Sequence, residues 1–96
     1  MMMLQREKTL ELALKGGIPL MVTYRIPTAL DTEKYITKDT KNSELVKAFV
    51  TSVICDDVPE LRTADDLLNL PGGTRVVSKI AYDIVEETVL EEDLKN

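Results

Sequence analysis

Apolar and polar residues alternate over two stretches near the start of the chain. Leu10, Leu12 and Leu14 interleave with Glu11, Ala13 and Lys15, and Leu20, Val22, Tyr24 and Ile26 stand opposite Met21, Thr23 and Arg25. A period of two puts each set on its own face of a strand. Between the runs lies Gly16-Gly17-Ile18-Pro19. Glycine supplies the positive φ of a tight reversal, and Pro19 sits where the start of a strand needs no ladder donor. The pattern predicts an N-terminal β-hairpin. A helix over residues 4–15, with Leu10, Ala13 and Leu14 on one side and Gly16 as its stop, is the competing assignment for the first arm.

Downstream the period lengthens. Pro27-Thr28 closes the second strand, and Thr28 with Asp31 three residues on has the form of a capping box for a short helix through Tyr35 and Ile36. After a polar loop over residues 37–42, Asn42 or Ser43 caps a helix whose stripe is Leu45, Val46, Phe49, Val50, Val53 and Ile54. This is the expected central core helix. At about 100° per residue it leaves Cys55 on the opposite face, at a polar end. With Asp56 and Asp57 rather than a cation beside it, nothing favours a reactive thiolate. Pro59 interrupts the chain, and Thr63 with Asp65 and Asp66 starts a short helix over residues 64–69 that Pro71-Gly72-Gly73 stops.

Thr74 opens the last and longest helix, with Val76, Val77, Ile80, Ala81, Ile84 and Thr88 on one face. Beside that face runs a second stripe of Tyr82, Val85 and Val89, continued by Leu90 and Leu94. A small core cannot easily cover both. Tyr82, Val85, Val89, Leu90 and Leu94 are therefore the candidate protein interface, with complete enclosure of the helix by its own domain as the alternative. Residues 83–96 hold six acids and one lysine, so residues 90–96 are expected to form a frayed acidic C-terminal end. The expected fold class is α+β, mostly helical: an N-terminal β-hairpin followed by about four helices, the last one long, in one domain over residues 1–96.

Charge and composition narrow the function. The 96 residues include 17 Asp and Glu against 12 Lys and Arg and no histidine, for a formal charge of −5. A chain this short buries only about 60–65% of its unfolded surface, so self-association into a homo-oligomer would stabilise it. Lack of histidine removes the side chain most used for proton transfer near neutral pH, and with it Ser-His-Asp, Cys-His and His-ligated metal chemistry. Asp56-Asp57 and Asp65-Asp66 do not fall in a calcium-loop pattern, and Gly16-Gly17 and Gly72-Gly73 match neither a phosphate-binding loop nor a dinucleotide fingerprint. Two amides at a Gly-Gly helix start would suit an anion, but Pro71-Gly72-Gly73-Thr74 reads more simply as stop, turn and cap.

A non-catalytic binding protein without metal or cofactor is expected. Residues 1–50 carry 8 basic and 6 acidic groups and residues 51–96 carry 4 basic and 11 acidic groups, an asymmetry that can orient contacts between copies or attract a basic partner. Arg6, Lys8 and Lys15 cluster loosely with no aromatic between them, so no nucleic acid is expected. No apolar run approaches membrane-spanning length, residues 1–4 lack a signal-peptide core, and Cys55 has no second cysteine to pair with. These features favour a soluble, intracellular protein that neither enters nor crosses a membrane.

The order of elements resembles the tail assembly chaperones of long-tailed, siphovirus-type bacteriophages and prophages. Three stretches carry the resemblance: Val22-Thr23-Tyr24-Arg25-Ile26-Pro27-Thr28-Ala29 from strand into helix, Asp66-Leu67-Leu68-Asn69-Leu70-Pro71-Gly72-Gly73 before the final helix, and the closing Glu91-Glu92-Asp93-Leu94-Lys95-Asn96. It implies a non-catalytic protein of the host cytoplasm that binds the tape measure protein, aids recruitment of tail tube protein, and is absent from the mature virion. The family often also makes a longer product by frameshifting near the end of the short reading frame, and Lys95-Asn96 fits an A-rich slippery codon pair. Two other classes remain open: a structural head-tail joining or tail completion protein, and a small acidic adaptor or antitoxin-like inhibitor.

Overall fold

The computed structural model describes residues 6–88. Strands β1 (Glu7–Leu14) and β2 (Ile18–Arg25) form the antiparallel hairpin, in register from Glu7 opposite Arg25 to Leu14 opposite Ile18. Gly16 and Gly17 turn at φ of 91° and 80°, backbone that a residue with a Cβ seldom adopts, and the Gly17 amide donates to the Leu14 carbonyl at 2.9 Å. The first arm is thus a strand rather than a helix.

Helix α1 (Ala29–Tyr35) begins at the capping box read from the sequence. The Thr28 hydroxyl accepts from the Asp31 amide at 3.2 Å, and the Asp31 carboxylate accepts from the Thr28 amide at 3.0 Å. Helix α2 (Asn42–Phe49) is capped one residue earlier than expected, at Lys41, whose amide donates to Glu44 at 3.0 Å. The expected helix over residues 45–54 is only half correct: α2 ends at Phe49, and β3 (Val50–Ile54) follows at once. Four of those five residues are β-branched, which favours a pleated strand and restricts χ1 in a helix. The open edge of β2 supplies the partner, with Met21, Val22 and Thr23 opposite Ile54, Val53 and Ser52 and a bulge between Thr23 and Tyr24. Strand alternation places Val53 and Cys55 inward and Ile54 outward, so Cys55 is buried rather than on a polar helix end.

Helix α3 (Ala64–Leu68) carries its own capping box between Thr63 and Asp66. Helix α4 (Thr74–Glu86) is the longest, and its cap is Gly73 rather than Thr74. A Cβ on Gly73 would lie 2.9 Å from the Leu70 carbonyl oxygen, so close approach of α4 to the end of α3 requires glycine there. Among the described residues the architecture is α+β, a three-stranded antiparallel sheet in order β1-β2-β3 with four helices, of which α2, α3 and α4 supply the buried side chains of the core. Helix makes up 40% and strand 25% of the described residues, so "mostly helical" overstates the helix content; the conversion of residues 50–54 to strand accounts for much of the difference.

The core lies between the sheet and α2, α3 and α4. Leu20, Val22 and Tyr24 of the central strand are fully enclosed, with Val46 and Phe49 from α2, Leu67 from α3, and Ile80, Ala81 and Ile84 from α4. Edge strand β1 is less well covered, and Leu10, Leu12 and Leu14 on its inner face are only half-buried.

Candidate functional site

Helix α4 carries the expected interface, and its faces differ in what covers them. Ile80, Ala81 and Ile84 are buried and Val76 and Val77 half-buried, as the first stripe requires. Tyr82 is 63% exposed. Val85 is half-buried and packs against the core, so the structure does not place it beside Tyr82 as a free apolar pair. Val89, Leu90 and Leu94 lie outside the described residues.

Near its C-terminal end α4 is fastened to the hairpin by a polar cluster. The Lys8 ammonium contacts Glu87 at 2.9 Å and Asp83 at 3.1 Å, and the Tyr24 hydroxyl donates to the Asp83 carboxylate at 2.6 Å. Burial is the main force that raises the Tyr24 pKa, and the Asp83 carboxylate at its hydroxyl adds to it. The Lys8 pKa is raised chiefly by its hydrogen bonds to Glu87 and Asp83. A phenol donating to a carboxylate already held by an ammonium is a satisfied tie between strand and helix. At the same end of β2, next to Tyr24 in the chain, Arg25 pairs with Asp31 and lies 4.7 Å from the centre of the Phe49 ring, which Tyr35 also meets edge-on.

Two further surfaces complete the picture. On the sheet face opposite the helices, Glu11, Met21 and Ile54 form one cross-strand row. Met21 is 42% and Ile54 53% exposed, and with Pro19, Asp56 and Asp57 they line a shallow hollow of about 160 Å³. A larger groove of about 770 Å³ runs between the hairpin turn and the start of α4, with apolar walls that include Leu14, Ile18 and Val76 and with Lys15 and Arg75 at its sides. Sequence reasoning missed both. The alternation of β2 already put Met21 on the outer face, but assigning Ile54 to a helix hid its neighbour. The groove depends on the long-range approach of hairpin and α4, which leaves no local signal.

Among the described residues, no group of three or more Cys, Asp or Glu side chains is placed to hold a metal ion, and no helix is long and apolar enough to cross a membrane. All buried side-chain polar atoms among them have partners. No protein-family model matches the chain, and neither a curated protein nor a solved structure matches it.

Proposed function

We propose that this protein is a non-catalytic tail assembly chaperone of a long-tailed bacteriophage or prophage. In this reading it binds the tape measure protein in the host cytoplasm, aids recruitment of tail tube protein, and leaves before the virion matures. One observation supports it above the others: the large apolar side chains left exposed among the described residues, Leu30 on α1, Tyr82 on α4 and Met21 with Ile54 on the sheet, stand on the outer surfaces of regular elements. Such surfaces suit an elongated amphipathic helix laid along them, whereas a small molecule needs an enclosed pocket with convergent polar groups. Covering one long helix with many copies makes each weak contact count through multivalency.

The acidic-adaptor alternative draws less support. Asp66 caps α3, and Asp83 and Glu87 hold Lys8, so three acids of the negative half serve the fold. The test is co-expression of the tagged chain with the tape measure protein of the same genome. Tape measure protein should become soluble and co-purify with the tagged chain, and purified virions should lack the chain. Failure to co-purify, or stoichiometric presence in virions, would overturn the reading in favour of a joining protein.

A further inference from the structure

The groove between the hairpin turn and the start of α4 has a definite chemical character. Its walls include Leu14, Ile18, Val58 and Val76, and the cations Lys15 and Arg75 are exposed beside them. Neither cation forms an ion pair among the described residues. An occupant that matches should be apolar with closely spaced acids. Residues 89–96 of this chain have that composition: Val89, Leu90 and Leu94 interleave with Glu91, Glu92 and Asp93. We propose that the groove takes residues 89–96 of a second copy of the chain.

Geometry favours the second copy over the chain's own segment. Arg75 lies in the first turn of α4, whereas residue 89 follows the helix at its far end. At 1.5 Å per residue the distance back from Thr88 to Arg75 is about 20 Å. Eight residues reach at most about 26–29 Å when fully extended. An intramolecular path would therefore spend Val89 to Asp93 as a taut tether and bring little more than Leu94 to the groove. A neighbouring copy can seat Leu90 and Leu94 in the apolar floor and set Glu91 to Asp93 against Lys15 and Arg75. The contact is heterologous, one copy's segment in the next copy's groove, so it can propagate from copy to copy.

The inference stands apart from the tape measure reading, because its test contains only this chain. Sedimentation velocity of the full chain up to about 1 mM, the range of weak contacts, should show mass that increases with concentration. Lys15→Glu with Arg75→Glu should weaken this association by about tenfold or more, as should Leu90→Ser with Leu94→Ser. Replacing Glu91, Glu92 and Asp93 together by lysine should also weaken it. Mixing that triple variant with the Lys15→Glu, Arg75→Glu variant should restore association, since each then meets its opposite charge. Circular dichroism of the Lys15→Glu, Arg75→Glu variant should match the parent, as both side chains are exposed. A parent that stays monomeric, charge variants that associate like the parent, or a mixture that stays dissociated would each overturn the proposal.

Discussion

Removing the Tyr24 hydroxyl tests whether the polar tie between hairpin and last helix stabilises the fold. Tyr24 is fully enclosed, and its hydroxyl donates to the Asp83 carboxylate at 2.6 Å and reaches the Asp83 carbonyl at 3.2 Å. Tyr24→Phe keeps the ring and its packing, so the change isolates the hydroxyl. A hydrogen bond to a charged acceptor contributes about 1.5–3 kcal/mol. Asp83 would keep Lys8 at 3.1 Å and stays partly open to solvent, so its carboxylate is not left orphaned. The cost should therefore fall near the lower end, about 1.5–2 kcal/mol. For a domain of this size that lowers Tm by about 6–16 °C. Urea unfolding followed by circular dichroism measures the free energy directly, and Asp83→Asn combined with Tyr24→Phe completes a double-mutant cycle. Stability of Tyr24→Phe within about 0.3 kcal/mol of the parent, or additive single effects, would refute the argument that this bond couples strand to helix.

The same cluster predicts alkaline lability. Lys8 and Tyr24 both have raised pKa values in the folded state, so the stability they confer is complete below their unfolded values, near pH 10, and is lost as pH rises beyond them. Urea midpoints should fall above about pH 10, and less steeply in Tyr24→Phe. On the acid side, the Thr28 amide and Arg25 lower the Asp31 pKa, and the Arg62 and Thr63 amides lower that of Asp66. Their contribution is present above about pH 4 and lost as pH falls through the lower folded values, so midpoints should drop there, and Asp31→Asn with Asp66→Asn, which removes both titrating groups, should flatten the drop. Gly73→Ala should destabilise by about 1–3 kcal/mol in thermal melts, because its Cβ meets the Leu70 carbonyl at 2.9 Å. Tyr82→Ser should change stability by less than about 0.5 kcal/mol while reducing capture of tape measure protein in pull-downs. Val85→Asp should instead destabilise the domain by about 1–3 kcal/mol, since Val85 packs against the core.

Local chemistry was legible where one or two neighbouring residues decide the outcome. Gly16-Gly17 between alternating runs gave the hairpin, and Thr28 with Asp31 and Thr63 with Asp66 gave two helix starts. Residues 45–54 were not legible in the same way. Leu45, Val46, Phe49, Val50, Val53 and Ile54 fit one helical stripe, yet only the first three stay helical. The decisive interaction is the ladder to β2, about thirty residues earlier in the chain, and periodicity within a window does not register it. Tyr24 shows the same limit at the candidate site: its place on the inner face followed from alternation, but its partner Asp83 comes from the far end of the fold.

Where the acids sit decides what the charge asymmetry can do. The half from residue 51 onward looks like a surface for a basic partner when its charges are merely counted. In the folded domain Asp66 faces backbone amides at the start of α3, while Asp83 and Glu87 meet Lys8 of β1, so part of the negative half is neutralised by the positive half of the same molecule. Two of the cations that form no ion pair among the described residues, Lys15 of the first half and Arg75 of the second, stand beside an apolar groove at the hairpin turn. Ion pairing within the domain thus ties α4 to the sheet, and two unmatched cations lie next to uncovered apolar surface. There desolvation strengthens electrostatic attraction and apolar burial supplies affinity, which is the combination a specific protein contact requires.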